Sequence, residues 1–128
     1  MPEIRGIGVD LCGVAHIEKA IEKAHFYERV FTEEERAYLD KKGRGRAQSA
    51  AAMFAAKEAI AKALGTGFSG GIMPWNISIV HDEKGAPGAV LLGAAKTRME
   101  QMGGTGVMLS LSHEDGSAIA FAVIGGFS

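Results

Sequence analysis

From Arg46 to Leu64 the chain contains neither glycine nor proline. Alanine fills positions 50, 51, 52, 55 and 56 of that stretch. Alanine is the strongest helix former, so the stretch predicts one long helix. Gly65 follows Leu64 and can take the left-handed conformation that closes a helix C-terminus. An alanine surface is smooth and lets other backbones approach closely, so the remaining elements are expected to pack around this helix. Lys57, Glu58 and Lys62 are set into it, and Glu58 and Lys62 are four apart, on one face. Spacing leaves two readings open for that pair. One is a solvated Glu–Lys bridge worth ~0.3–0.5 kcal/mol. The other is a carboxylate for a hard metal ion, with a lysine beside it for the phosphate that ion binds.

A chain of 128 residues reads as one domain over 1–128, with a core that small α+β units often extend by oligomerising. Fourteen Lys and Arg stand against fifteen Asp and Glu, which argues against nucleic acid as the main partner. Cys12 is the only cysteine, so no intramolecular disulfide forms, and no Cys/His cluster has zinc spacing. The opening MPEIRGIGVDL lacks the basic-then-apolar plan of a signal peptide. No apolar run approaches the ~18 residues of a membrane span. The expectation is a soluble, cytoplasmic protein.

Along the chain, Ile4 to Leu11 alternates as a strand, with Arg5, Ile7, Val9 and Leu11 on one side and Ile4, Gly6, Gly8 and Asp10 on the other. Two glycines so close together mark a place where something presses on the backbone. Val14, Ile17, Ala20, Ile21 and Ala24 recur at helical spacing, and a short piece around Phe26–Phe31 follows. Thr32 and Glu35 have capping-box spacing and start a helix to about Lys42. Lys41 to Arg46 is a basic turn, either a solvated loop or a phosphate-binding lip. Gly65-Thr66-Gly67 opens a glycine-rich loop whose N–H groups suit an anion, without the order of a P-loop. Strands are expected at 75–81 and 89–92, a short helix at 94–102, and a hairpin of 106–112 with 117–124 around Asp115-Gly116. The tail from Gly125 to Ser128 is expected to fray.

Three positions are candidates for chemistry: Asp10 at a strand end, Glu58 in the helix and His113 before the hairpin turn. Taken singly, the Asp reads equally as a turn or cap residue and the His as an exposed bystander, as His16, His25 and His81 are read. Together, the two carboxylates over glycine-lined space suit Mg²⁺, which takes few protein ligands and completes its shell with water and phosphate. Lys62 could neutralise charge on a leaving phosphate. No G-x-S-x-G elbow or Cys–His spacing points to a covalent enzyme intermediate.

G-I-G-V-D at 6–10, F-A-A-K-E-A-I-A-K-A at 54–63 followed by G-T-G at 65–67, and S-L-S-H-E at 110–114 resemble the small bacterial holo-acyl-carrier-protein synthases. F-T-x-x-E at 31–35 belongs to the same likeness, which spans nearly the whole chain. These enzymes form part of the 4′-phosphopantetheinyl transferase superfamily. The resemblance implies an α+β fold, with an antiparallel sheet on the long helix. It implies transfer of phosphopantetheine from coenzyme A to a serine of an acyl carrier protein, releasing 3′,5′-ADP, with Mg²⁺ or Mn²⁺ as cofactor. It makes Asp10 and Glu58 the metal ligands and, with Lys62, the catalytic set. It gives coenzyme A contacts to Arg46, Phe54, Lys62, Gly65, Thr66 and His113. It also implies a homotrimer, with each active site shared between neighbours.

Two departures accompany the likeness. Many relatives carry Arg or Lys before the helix Phe, where this chain has Met53, so Arg44, Arg46 or a neighbouring subunit would have to take over a phosphate contact. The first helix mixes His16, Lys19, Lys23 and Arg29 with Glu18, Glu22 and Glu28, less basic than a docking face for an acidic carrier. The alternatives are a coenzyme A or 3′,5′-ADP binding module without turnover, favoured by Met53, and a scaffolding trimer, disfavoured by the Asp10, Glu58, Lys62 set.

Overall fold

The structure, a computed structural model, describes residues 2–127, Phe127 by its backbone alone. Strand β1 (Pro2–Gly13) is followed by three short helices, α1 (Val14–Ala20), α2 (Ala24–Val30) and α3 (Glu33–Asp40). The long helix α4 (Arg46–Ala63) comes next, entered through a 3₁₀ turn at Gly43–Gly45. A second 3₁₀ turn (Pro74–Asn76), β2 (Ile77–His81), β3 (Pro87–Leu91), α5 (Gly93–Gln101), β4 (Gly106–Glu114) and β5 (Ser117–Phe127) complete the order. The class is α+β, as expected.

The strands form two antiparallel sheets rather than one: β1-β5-β4, and the pair β2-β3. In the larger sheet Asp10 lies opposite Ala120, Gly8 opposite Ala122 and Gly6 opposite Ile124. That face packs on α4. A Cβ at Gly8 would lie 2.0 Å from the Ala59 carbonyl oxygen, and one at Gly6 2.1 Å from that of Ala63. The paired glycines therefore mark the close approach anticipated for them, and the helix is what presses there. The opposite face carries Ile7, Val9, Leu11, Met108, Ile119 and Phe121, all exposed in the single chain, Leu11 to 65%.

Helix α4 is buried at most positions. Ala47, Ala50, Ala51, Ala55, Ala56, Ala59, Ala61 and Ala63 belong to the core, with Met53 and Ile60. The expected capping box is present: Glu35 N–H donates to Thr32 Oγ1, and Thr32 N–H donates to Glu35 Oε1. Gly65 takes φ +79°, and the N–H of Gly67 bonds the Ala61 carbonyl at 3.1 Å, closing α4 as the sequence predicts. Asp115 (φ 51°) and Gly116 (φ 76°) make the hairpin turn.

Some boundaries differ. The first helix stops at Ala20, a turn before Ala24, and a new helix starts at Ala24. The tail does not fray at Gly125: that residue pairs with Ile4 and Gly106, and Gly126 with Glu3. A Cβ at Gly126 would lie 2.0 Å from the Gly103 carbonyl oxygen, so the glycine there serves close packing. Ser128, also part of that expectation, lies outside the described residues. Among the described residues no helix is long and apolar enough to cross a membrane.

Candidate active site

β1 brings Asp10 to α4 because Gly6 and Gly8, the two alternate positions before it, let the strand lie close against the helix. Lys62, on the turn of α4 that Gly8 touches, donates from Nζ to Asp10 Oδ1 at 2.7 Å and to the Val9 carbonyl at 3.1 Å. Asp10 is largely covered while the Lys62 side chain is about half exposed, so the ammonium sits at the rim with the carboxylate beneath it. Lys62 pairs with Asp10 within ion-pair distance rather than with Glu58, so the solvated Glu58–Lys62 bridge does not describe this helix.

Glu58 lies one turn before Lys62 and is half-buried. Its carboxyl is pushed up to about 7, first by burial, then by a hydrogen bond to Asp10 and by the Asp10 charge, with Lys62 pulling the other way. Lys62 is held above the usual lysine range by its hydrogen bond to Asp10 and the Asp10 charge. Cys12 is pushed up to about 11 by burial and by the charges of Glu58 and Asp10, which makes it a poor nucleophile.

Two carboxylates brought together, one retaining its proton near neutrality, form a site that a cation would relieve. Both donors are oxygens, which fits a hard divalent ion such as Mg²⁺ with one or two protein carboxylates. Among the described residues no group of three or more His, Cys, Asp or Glu could hold a metal. Asp10 and Glu58 thus offer carboxylate oxygens side by side, with no third such residue grouped with them among the described residues.

The other expected positions lie on α4, just past its C-terminal end and, for His113, on β4. Gly65 and Thr66 follow its C-terminus, where Arg98 Nε donates to the Leu64 carbonyl at 2.8 Å and the Thr66 hydroxyl donates to the Gly67 carbonyl at 2.8 Å. Phe54, one turn before Glu58, is half-buried with its ring 6.1 Å from that of Phe26. Arg46 at the N-terminus lies over the Tyr27 ring (4.6 Å) and 3.8 Å from Asp40. His113 is exposed and lines a cavity of about 360 Å³ with Met53, Ser49, Lys42 and Tyr38. Among the described residues no hydrogen bond or ion pair joins Arg46 or His113 to Asp10, Glu58 or Lys62. Met53 is only 1% exposed and forms part of that cavity's wall.

Two features escaped the sequence reading. Lys57, which the sequence sets in the helix surface, is 0% exposed and paired with Glu35 at 2.6 Å. The sequence signal for it is the apolar set at helical spacing around it, Met53, Ile60 and Ala61, which puts Lys57 in the middle of an apolar face. His81, an exposed bystander by sequence, stacks on Tyr38 at 4.2 Å, and Lys42 Nζ lies over that same Tyr38 ring at 4.6 Å. Burial and the Lys42 charge hold His81 below its ordinary range. Period-two alternation put His81 on a strand but could not say that α3 lies against it.

Residues 6–122 match the family model described as the 4′-phosphopantetheinyl transferase superfamily. The holo-[acyl-carrier-protein] synthase of Treponema denticola is 41% identical over 123 residues, covering 96% of this chain and 99% of that protein. That of Clostridium acetobutylicum is 43% identical over 122 residues, covering 94% and 97%. Among solved structures, the Neisseria meningitidis holo-[acyl-carrier-protein] synthase superposes with a TM-score of 0.84 at 36% identity, covering 95% and 98%. The Helicobacter pylori enzyme in complex with coenzyme A gives 0.79 at 33%, covering 92% and 98%. With an acidic pair and a lysine meeting where β1 crosses α4, and with this match over most of its length, the chain belongs to the 4′-phosphopantetheinyl transferase superfamily.

Proposed function

We propose that the protein is a holo-acyl-carrier-protein synthase, a single transferase domain over residues 1–128. It moves 4′-phosphopantetheine from coenzyme A to a serine of an apo-acyl carrier protein, leaving adenosine 3′,5′-bisphosphate. The observation that carries this is the meeting of Asp10, Glu58 and Lys62 on two elements, with Lys62 Nζ 2.7 Å from Asp10. The relatives bearing that activity in their names match nearly the full chain.

In the reaction the serine oxygen bonds to the phosphorus that carries pantetheine, while the bridging P–O bond breaks toward the departing 3′,5′-ADP. An ammonium has three donors. Asp10 and Val9 take two from Lys62, and the third suits an oxygen of the departing phosphate. Asp10 orients a water that takes the serine proton while passing one of its own to the Asp10 carboxylate. Mg²⁺ or Mn²⁺, held by Asp10 and Glu58, supplies charge neutralisation at the diphosphate when bound. Gly65, Thr66, Phe54, Arg46 and His113 contact other parts of coenzyme A. Arg46 and His113 lie away from the acidic pair, in keeping with a long substrate.

The exposed apolar face of β1-β5-β4 supports a homotrimer, because a contiguous patch of this kind ordinarily marks an interface. Exposed His16 and Lys19 on α1, Lys23 in the turn that follows and Arg29 on α2 offer positive charge to an acidic carrier. The protein is read as cytoplasmic, in accord with its single unpaired cysteine.

The test is intact-mass analysis of an apo-carrier protein incubated with the protein, coenzyme A and Mg²⁺. A gain of one phosphopantetheine, abolished by EDTA, is expected. Coenzyme A binding with no gain on any of several carriers would leave a binding module in its place.

A further inference from the structure

The best-connected polar group in the core is not used by the reaction described above. Lys57 and Glu35 are both 0% exposed, and their ion pair measures 2.6 Å. Lys57 Nζ also donates to the carbonyls of Pro74 (2.9 Å) and Ile77 (2.5 Å). Glu35 Oε1 accepts from the Thr32 N–H and Oε2 from the Ile79 N–H, each at 2.8 Å. The pair thus ties α4 to α3, to the turn at Pro74–Asn76 and to β2. A buried pair with its donors and acceptors filled does little for net stability, but it can define register.

α4 needs such a device. Its buried positions are alanine nearly all round, with only Met53, Lys57 and Ile60 as larger side chains. Alanines look alike from every side, so apolar packing holds the helix in place without strongly fixing its rotation about its own axis. Gly6 and Gly8 set how closely β1 approaches, against the backbone of Ala63 and Ala59, and bring no side chain that keys into the helix. Lys57 is unlike its neighbours and has one set of partners. Glu58 is the next residue, ~100° further round the helix. A rotation of one residue step would carry its carboxyl away from Asp10.

We propose that the buried Lys57–Glu35 pair sets the rotation of α4 and so aims Glu58 at Asp10, which makes Lys57 and Glu35 positioning residues for the transfer. The proposal rests on the transferase reading for its activity arm and on Asp10 and Glu58 as metal ligands for its binding arm.

The test uses Lys57→Met and Glu35→Gln beside wild type, with Ile124→Ala as a core control at 0% exposure on β5. Folding is followed by circular dichroism and thermal melting, and Mn²⁺ binding by titration without coenzyme A. Each variant is compared at a temperature where it is folded. Both pair variants are expected to bind Mn²⁺ at least tenfold more weakly, and the control within twofold of wild type. Excess Mn²⁺ is expected to recover transfer in Glu35→Gln. Wild-type Mn²⁺ affinity and transfer in either folded pair variant overturns the proposal, as does an equal loss in the control. Should Lys57→Met fail to fold, Glu35→Gln decides, because it keeps the Lys57 bonds to Pro74 and Ile77. A wild type that binds Mn²⁺ yet modifies no carrier defeats the transferase reading and leaves the binding comparison decisive for α4. A wild type that binds no Mn²⁺ overturns the positioning proposal.

Discussion

Lys62 of α4 and Asp10 of β1, 52 residues apart, form a 2.7 Å hydrogen-bonded ion pair at the rim of the acidic site. The lysine belongs by sequence to Glu58, four residues before it, yet the fold gives it to a carboxylate from another element. Lys62 therefore couples the strand to the helix and at the same time presents an ammonium to solvent.

Replacing Asp10 or Glu58 by Ala removes half of the acidic pair. Each variant is expected to stay folded and to lose about 10²-fold or more in transfer rate, the scale typical of removing one electrostatic group from an active site. Time-resolved mass analysis of the carrier checks this, and a wild-type rate in either variant refutes the assignment.

Lys62→Met keeps most of the stem and deletes the ammonium. Transfer is expected to fall by about 10²-fold. Because Lys62 is a rim residue, its melting temperature should stay near that of wild type. A large loss of stability with unchanged transfer would make Lys62 structural.

Glu58 gives a pH signature. Its folded value of about 7 lies above the ordinary 4.5. The fold therefore favours the protonated form, and this contribution to stability is fully present below pH 4.5 and is lost as pH rises through 7. A divalent ion binds the ionised form and reverses the effect. Millimolar Mg²⁺ is expected to raise the melting temperature more at pH 8 than at pH 6. Equal increments at the two pH values would contradict the shift.

Gly8→Ala tests the contact between strand and helix. Its Cβ would stand 2.0 Å from the Ala59 carbonyl oxygen, which is backbone and cannot swing aside. A loss of about 1–3 kcal/mol in urea unfolding is expected, as for other overpacked cores. Because β1 must retreat and takes Asp10 with it, transfer falls as well.

Phe121→Glu tests the assembly. Phe121 lies opposite Val9 on the exposed face, 45% accessible in the single chain. If that face joins three copies, wild type runs at the trimer mass in light scattering and the variant at the monomer mass, with transfer lost. A wild-type monomer would remove the reason for the exposed face.

Much of this protein follows from local sequence. The Ala-rich run makes α4, Gly65 ends it, Thr32 and Glu35 start α3, and Asp115-Gly116 turns the hairpin, because each depends on backbone preferences within a few residues. The motifs around Asp10, Glu58 and Lys62 pointed to the family for the same reason: they are short and carry their chemistry with them.

Tertiary structure decided which side of each element faces inward. Strand β1 shows apolar residues on one side and glycines on the other, and the glycine side is the buried one, because an alanine helix needs a partner without side chains more than one with them. Lys57 and Glu58 are adjacent charged residues, and the sequence alone determined that both lie on one helix. Only the fold gave Lys57 a buried acid from α3 and left Glu58 to share a carboxylate site with Asp10. A charge can be buried only where distant segments supply its partners, and local sequence cannot specify which segments those will be.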